Sequence, residues 1–221
     1  RIRVWGSIGF IATVMVLGAL IEWRGPEVVL PALLFIFVAI WLSSMSVRDP
    51  DPEPHPPDQQ SLGAILRRPA IIGFFLAVFL MQASHGPYYA FYSIFMKDQG
   101  YSETLIGQLW ALGVLAEVAL FVIMHHLLDR FGARRVLIAS LVMAGLRWWL
   151  IGNFVDSLGL LLVAQLLHAA TFGTFHAAGI HLVHHYFRGR HKGRGQALYS
   201  SVSFGAGGAV GSLASGYAWQ G

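Results

Sequence analysis

Residues 136–154, VLIASLVMAGLRWWLIGNF, form a stretch long and apolar enough to cross a bilayer, yet it contains a permanent charge, Arg147. At about 1.5 Å of rise per residue, Arg147 lies roughly 18 Å along a helix from Arg135, which places it at membrane depth. A guanidinium keeps its proton in a protein, so we expect Arg147 to be paired or to face water. Which group stabilises the charge of Arg147 is the first functional question that the sequence raises.

The composition is that of an integral membrane protein in contact with a lipid bilayer. Of the 221 residues, 56% are hydrophobic and 12% are charged. Soluble domains average about 25% charged residues, so a soluble fold is excluded. The chain has no cysteine, which excludes disulfides, thiolate nucleophiles and cysteine-bound metal centres. The formal net charge of +4 fits basic loops on one side of a membrane, and no nucleic-acid partner is predicted.

Seven apolar segments predict an all-α polytopic membrane protein with about seven transmembrane helices. The segments are residues 4–21, 28–46, 70–96, 105–127, 136–154, 158–187 and 197–218. Nearly all basic loop residues fall on one side of this topology, and the opposite loops carry only Arg24 and Lys97. By the positive-inside rule, the basic side is cytoplasmic.

One long polar stretch, residues 47–60, interrupts the apolar pattern. Its prolines and mixed charges predict an extended cytoplasmic linker, because proline removes helical hydrogen bonds and the charges hold the segment in water. We therefore expect a two-helix piece at 1–46, a linker at 47–68 and a five-helix piece at 69–221.

Three ionisable side chains are predicted at similar depths on successive helices. Glu117 lies about 13 residues, or roughly 20 Å, from Arg130. His168 lies about 12 residues, or roughly 18 Å, from Asp156. Together with Arg147 they form a set that can bind an anion or pass a proton. A charge-neutralised packing contact is the alternative, but intramembrane ionisable groups are costly and usually line a pathway, which favours function.

The segment at residues 70–96 presents a polar face. Gln82, His85, Tyr89 and Tyr92 are spaced three, four and three residues apart, so they share one side of a helix. Gly86-Pro87 lies in that face and is expected to loosen or kink the helix. A substrate site and ordinary packing with bonded hydroxyls both fit this pattern.

Histidine spacing near the end of the chain gives a further candidate and a rival interpretation. His176 lies two turns from His168 on the same predicted face, which makes it a candidate for proton transfer. The patterns His176-AAGI-His181 and His181-LV-His184-His185 resemble the histidine boxes of membrane di-iron desaturases and hydroxylases. Those enzymes spread their boxes over several segments, whereas here both boxes share His181, so no metal site is predicted.

The turn at residues 127–135, LLDRFGARR, resembles the Gly-X-Leu-Ala-Asp-Arg-X-Gly-Arg-Arg loop of the major facilitator superfamily. The residues that match, and for which the resemblance implies a conformational loop, are Asp129, Arg130, Gly132 and Arg134. The start of the chain, RIRVWGSIGF, is similar to the fifth helix of the sugar, nucleoside and phenylpropionate proton-symporter branch of that superfamily.

This resemblance implies roles for individual residues. Arg3 matches an arginine that contacts substrate in lactose-permease relatives. Arg147 and His168 fall where those relatives carry an arginine and a histidine used in proton coupling. Gln165 replaces a lysine of that pattern, and Thr171 stands where the proton-carrying glutamate would be. Glu117 and the histidines are therefore the candidate proton carriers.

The resemblance covers essentially the whole chain, as helices five to eleven of a twelve-helix major-facilitator-type bundle. It implies a proton-coupled uptake permease of the bacterial inner membrane, without a cofactor, working as a monomer on a small organic acid such as an aromatic carboxylate. Together, the residue pattern and the resemblance predict Arg3, Gln82, His85, Tyr89 and Arg147 as substrate-binding residues, and Glu117, His168 and His176 as proton-coupling residues. A sugar or nucleoside symporter, a di-iron membrane enzyme and a non-transporting sensor or scaffold are the alternatives.

Overall fold

The computed structural model describes residues 9, 13, 16, 17, 20, 23–46 and 61–219. The chain divides into two compact units, Arg1–Pro54 and His55–Gly221. In the first unit, a 3-10 turn at Pro26–Val28 leads into helix α1, Val29–Ser44. The predicted segment at residues 4–21 lies largely outside the described residues, and the stretch at residues 47–60 lies wholly outside them.

The second unit is a bundle of long apolar helices. Its helices are α2 (Leu62–Leu66), α3 (Pro69–Asp98), α4 (Glu103–Phe131), α5 (Ala133–Asn153), α6 (Leu158–His168), α7 (Thr174–Tyr186), α8 (Lys192–Ser200) and α9 (Gly208–Trp219). Among the described residues, four stretches are long and apolar enough to cross a membrane: Pro69–Asp98, Thr104–Phe131, Ala133–Asn153 and Leu158–Tyr186. Helix α2 falls inside residues 47–68, the stretch predicted to be a linker.

Two π-helical turns interrupt the α-helical hydrogen bonding in the last part of the bundle. Ala169–Gly173 joins α6 to α7, and Ser201–Gly207 joins α8 to α9. In each case the helix continues through the turn, as the predicted apolar segments at 158–187 and 197–218 require. Short π-helical turns within α-helices are frequent at functional sites.

Glycine determines how two pairs of helices meet. Gly132 has φ of 78° and joins α4 directly to α5, because it adopts a backbone conformation that other residues rarely adopt. Helix α3 touches both α9 and the π-helical turn before it, backbone to backbone: a Cβ on Gly207, in that turn, would lie 2.6 Å from the Phe79 carbonyl oxygen. A Cβ on Gly211 would lie 2.7 Å from the Ala83 carbonyl carbon, so a larger residue at either position would separate the helices.

Candidate functional site

Arg147 lies at the centre of the second unit with no exposed surface. Its Nε donates a hydrogen bond of 3.0 Å to the carbonyl oxygen of Ala164. Its two terminal nitrogens lie 3.5 Å from Thr171 Oγ1 and 3.5 Å from Gln165 Oε1, distances at the long limit of hydrogen bonding. All three acceptors belong to α6 and the π-helical turn that follows it, so one helix holds the guanidinium of its neighbour.

Two aromatic rings cover the guanidinium. Its Cζ atom lies 4.1 Å from the ring centroid of Tyr88 and 4.6 Å from that of Trp148. Such cation–π contacts contribute roughly 2 kcal/mol or more when the cation is removed from water. The Tyr88 hydroxyl donates to Gln165 Oε1 at 2.9 Å, so the oxygen near Arg147 is also fixed by the tyrosine.

Arg147 was expected to be paired or to face water, and the structure gives it neutral partners rather than an acid. Within the part of the chain that the structure describes, no carboxylate lies at salt-bridge distance from Arg147. Neutral acceptors and ring faces stabilise the charge instead, because backbone, amide and hydroxyl oxygens and the negative faces of aromatic rings all attract a cation.

Glu117 and His168 form the second charged feature. His168 Nε2 lies 3.8 Å from Glu117 Oε2, and the two form an ion pair whenever the imidazole is protonated. The side chain of Glu117 is 17% exposed, while that of His168 is 6% exposed. A Cβ on Gly173 would lie only 3.1 Å from Glu117 Cγ, so the missing side chain of this glycine gives the acid its room.

An aromatic layer extends from this ion pair to the surface of the unit. Phe172 stacks on the His168 imidazole, with ring centroids 5.4 Å apart and planes 8° from parallel. Tyr89 and Trp110 stack at 6.1 Å, and Tyr89 is 48% exposed. Phe204 meets Phe172 edge to face at 6.1 Å and is itself exposed. Flat apolar rings therefore line the accessible side of the ion pair.

The structure brings several of the predicted site residues into one layer. His85 is buried, its Nδ1 lies 2.9 Å from the Met81 carbonyl oxygen, and its ring centroid lies 6.4 Å from that of His168. Gln82 is also buried, one turn of α3 from His85. The residues that share this layer are His85, Tyr89, Glu117, Arg147 and His168.

Other predicted residues lie elsewhere. His176 lies beside Tyr199, whose hydroxyl is 3.3 Å from His176 Nδ1. Arg3 lies outside the described residues. The residues predicted to form a conformational loop, Asp129, Arg130, Gly132 and Arg134, are all exposed at the junction of α4 and α5, at the end of the helices.

The histidines of the rival interpretation are exposed on α7, where His181, His184 and His185 lie. Among the side chains that the structure describes, no three histidine, cysteine, aspartate or glutamate residues are placed to hold one metal ion.

Sequence reasoning did not assign the neutral groups around Arg147 to the site. Tyr88 and Trp148 could not be separated from the other aromatic residues of these helices. Gln165 and Thr171 did carry a signal: each is a polar residue in an apolar span, three residues from His168 and therefore on its face. The two positions that depart from the symporter pattern are thus the two side chains that accept hydrogen bonds from Arg147.

Comparison with known proteins identifies the relatives of this chain. The model of the MFS_1 like family matches residues 1–221. The chain is 33% identical over 226 residues to the "Probable 3-phenylpropionic acid transporter" of Escherichia coli (strain K12), covering 100% of this chain and 58% of that protein. A crystal structure of the nucleoside transporter NupG matches with a TM-score of 0.70 and 19% identity, covering 98% of this chain and 58% of that one.

These matches confirm the predicted fold, a partial helical bundle of the major facilitator type. The chain spans 58% of the length of each of these two relatives. The family match rules out the alternative that the chain is a histidine-box enzyme. The chain belongs to the MFS_1 like family and so, as its loop and helix motifs predicted, to the major facilitator superfamily.

Proposed function

We propose that this chain is part of a secondary transporter that takes up a small organic anion together with protons, by alternating access. The observation that carries the proposal is the pairing of two features in one layer: a buried cation held by neutral groups, Arg147, and an acid–imidazole pair, Glu117 and His168. Buried charges that are held without a counterion are costly, and in membrane proteins they usually mark a ligand or ion pathway.

Charge balance explains how the two features would cooperate. With Glu117 ionised, its negative charge offsets that of Arg147 and repels a second carboxylate. When Glu117 takes up a proton, the layer carries a net positive charge and attracts the anion. Proton and substrate then favour each other's binding, and by linkage the coupling is the same in both directions. His168, 3.8 Å from the acid, is placed to pass the proton or to stabilise the ionised form.

The aromatic layer supports an aromatic acid as the substrate. Tyr89, Trp110 and Phe172 offer ring faces beside the ion pair, and aromatic pairs contribute about 0.5–1.5 kcal/mol beyond the area they bury. The relative that is 33% identical carries the name of a 3-phenylpropionic acid transporter, which agrees with this chemistry. In the described conformation Tyr88 covers Arg147, so the carboxylate reaches the guanidinium only when that ring moves.

The proposal extends to the rest of the chain. Residues 1–46 and 69–221 belong to the two halves of the transporter, and residues 47–68 join them on the cytoplasmic side of a bacterial inner membrane. Arg3 supplies a second cation from the first half, while Gln82 and His85 fix the orientation of the substrate. The exposed loop around Gly132 acts in the conformational change, and the full-length protein works as a monomer.

The test is uptake of labelled 3-phenylpropionate by the full-length protein in proteoliposomes, with and without an inside-alkaline pH gradient. The gradient should raise accumulation about tenfold for each pH unit, since one proton per substrate couples the two concentrations. Glu117→Gln should abolish that response while keeping exchange of internal for external substrate. Asp98→Asn, an exposed acid at the end of α3, is the matched control and should behave as the parent.

Each outcome of this experiment is decisive for one part of the proposal. Equal accumulation with and without the gradient would show that transport is not proton-coupled. Uptake of a nucleoside in place of phenylpropionate would keep the transport function and refute the organic acid.

A further inference from the structure

An apolar groove lies at the basic end of the second unit, and none of its lining residues belongs to the layer of Arg147. It has a volume of about 340 Å³ and runs between the end of α4, the first turns of α5 and the π-helical turn after α6. Phe131 and Arg135 line it near the junction of α4 and α5, Ala139 and Ala170 also line it, and Met143 is its last lining residue along α5. From Arg135 to Met143 the groove follows α5 for roughly 12 Å.

The groove is polar at one end only. Two hydroxyls line it, but both donate within their own helices: Ser140 Oγ to the Leu137 carbonyl at 2.7 Å, and Thr174 Oγ1 to the Ala170 carbonyl. The remaining lining is hydrocarbon, except for the exposed guanidinium of Arg135. A ligand that fits must therefore combine an apolar chain with a charged end.

The charge at that end is positive and available. Among the described residues, no acid lies at salt-bridge distance from Arg135. Arg130 and Arg134 are exposed on the same turn, and α5 begins at Ala133, so the positive end of its dipole adds to the field. Phosphate oxygens are good acceptors for arginine, and basic pockets between membrane helices bind acidic lipid headgroups.

Exposed apolar side chains flank the groove along α5. Ile138, next to the lining residue Ala139, is 50% exposed, and Val142, next to Met143, is 63% exposed. In a membrane-spanning helix, such residues contact acyl chains. The groove thus lies where a lipid arrives without crossing water, whereas a soluble organic acid would have to leave the aqueous pathway.

We propose that this groove binds one anionic phospholipid, with an acyl chain along α5 from Phe131 to Met143 and the phosphate at Arg135. The site lies in the leaflet on the side of the basic loops, and it is separate from the layer that contains Glu117 and Arg147. The lipid would stabilise the packing of α4 and α5 on the π-helical turn, because all three contribute residues to the groove.

The test is native mass spectrometry of the full-length protein in mild detergent, after incubation with phosphatidylglycerol or with phosphatidylcholine of the same chains. The parent should retain one phosphatidylglycerol under collision energies that remove phosphatidylcholine. Ala139→Phe places a ring in the groove and should lower retention of both lipids at least tenfold. Arg135→Gln should make retention of the two lipids equal, because it removes the charge and leaves the apolar groove.

Two control variants address nonspecific effects. Ile72→Phe adds a ring at an exposed apolar site on α3, and Arg190→Gln removes an exposed charge beyond the groove, so both should retain lipid as the parent does. Position 139 is exposed, so Ala139→Phe should keep the parent's elution volume and helical circular dichroism.

A photoactivatable diazirine on the acyl chain gives a second, independent measurement. Peptide mapping should place its crosslinks on the peptides that contain Ala139 and Met143. Crosslinks confined to α3 or α9, unchanged retention in Ala139→Phe, or equal retention of the two lipids by the parent would each overturn the proposal.

Discussion

The surroundings of Arg147 and of Glu117 differ although the two residues belong to the same layer. Arg147 is fully buried, and its contacts are a carbonyl, an amide, a hydroxyl and two rings. Glu117 keeps 17% of its side chain exposed and faces a titratable partner. A guanidinium keeps its proton at every physiological pH, so Arg147 exchanges no proton and needs no path to water. A carboxylate that exchanges protons needs a path to water, so the partial exposure of Glu117 suits the proton-coupling role proposed for it.

Arg147→Met gives the strongest test of this comparison. The substitution keeps length and apolar contact but removes the charge, and hydrogen bonds to charged groups contribute about 1.5–3 kcal/mol. We expect initial uptake of phenylpropionate to fall by about 100-fold, since about 1.4 kcal/mol corresponds to a factor of ten. Thermal stability should change little, because an apolar replacement of a buried charge is often neutral or stabilising.

Uptake and thermal unfolding of the same reconstituted samples check this prediction. Arg190→Gln, which removes an exposed arginine far from the layer, is the control and should retain the parent's uptake. If Arg147→Met unfolded at much lower temperature and kept its uptake, Arg147 would be a structural residue and the proposed anion site would be wrong.

Two adjacent tyrosines differ in the same way, because Tyr88 lies against Arg147 and Tyr89 lies in the exposed aromatic layer. Tyr88 is 4% exposed and covers Arg147, whereas Tyr89 is 48% exposed and stacks on Trp110. Tyr89→Leu should raise the KM for an aromatic acid about tenfold without changing stability, since an aromatic contact contributes about 0.5–1.5 kcal/mol. Tyr88→Leu should instead lower the unfolding temperature, because Arg147 loses a ring face and Gln165 a hydrogen-bond donor.

Michaelis–Menten analysis of uptake, with thermal unfolding of each variant, separates the two effects. Tyr89→Phe is the matched control and should keep the parent's KM because the ring remains. If both leucine variants changed KM alike and unfolded at the parent's temperature, the two tyrosines would not have the separate roles predicted for them.

Gly173→Ala should have the smallest effect of these substitutions, and it acts on Glu117 rather than on Arg147. Its new Cβ would lie 3.1 Å from Glu117 Cγ, so the carboxylate must shift by a few tenths of an ångström relative to His168. We expect uptake to change by about two- to fivefold, an effect below about 1 kcal/mol, with an altered dependence on external pH.

Gly159→Ala is the control for this substitution. Gly159 is an exposed glycine of α6 with nothing within 4 Å of its Cβ position, so its variant should show the parent's pH profile. An identical profile for both alanine variants would show that Glu117 tolerates displacement and that its position is not critical.

The apolar pattern predicted the helices well but not their ends. The segment at residues 136–154 corresponds to α5, Ala133–Asn153, which begins directly after the Gly132 turn and includes two arginines that water can solvate. Hydropathy marks the part of a helix that lies in hydrocarbon, and a helix continues beyond it until a turn ends it. The π-helical turns were not predicted, because a shift in hydrogen-bond partner leaves composition unchanged.

The sequence points to the candidate site only where a residue is energetically costly to bury in a membrane. Glu117, Arg147 and His168 stand out because an ionisable group in an apolar span is unfavourable wherever it points. Tyr88 and Trp148 do not, since aromatic residues are ordinary in membrane helices and only packing brings them to a guanidinium. A sequence shows charges, whereas neutral acceptors such as those around Arg147 become visible only when the helices are packed.

The π-helical turn at Ala169–Gly173 affects how this chain is aligned with others. Such a turn closes hydrogen bonds over five residues rather than four, so it accommodates one residue more than an α-helix of the same length. In a relative whose helix is regular there, the residues equivalent to His168 and to His176 are one residue closer together. A sequence alignment is therefore correct at only one of the two histidines unless it places a one-residue gap between them. Functional assignments carried along Leu158–Tyr186 therefore depend on that gap, and His176 is the first candidate residue whose counterpart changes with it.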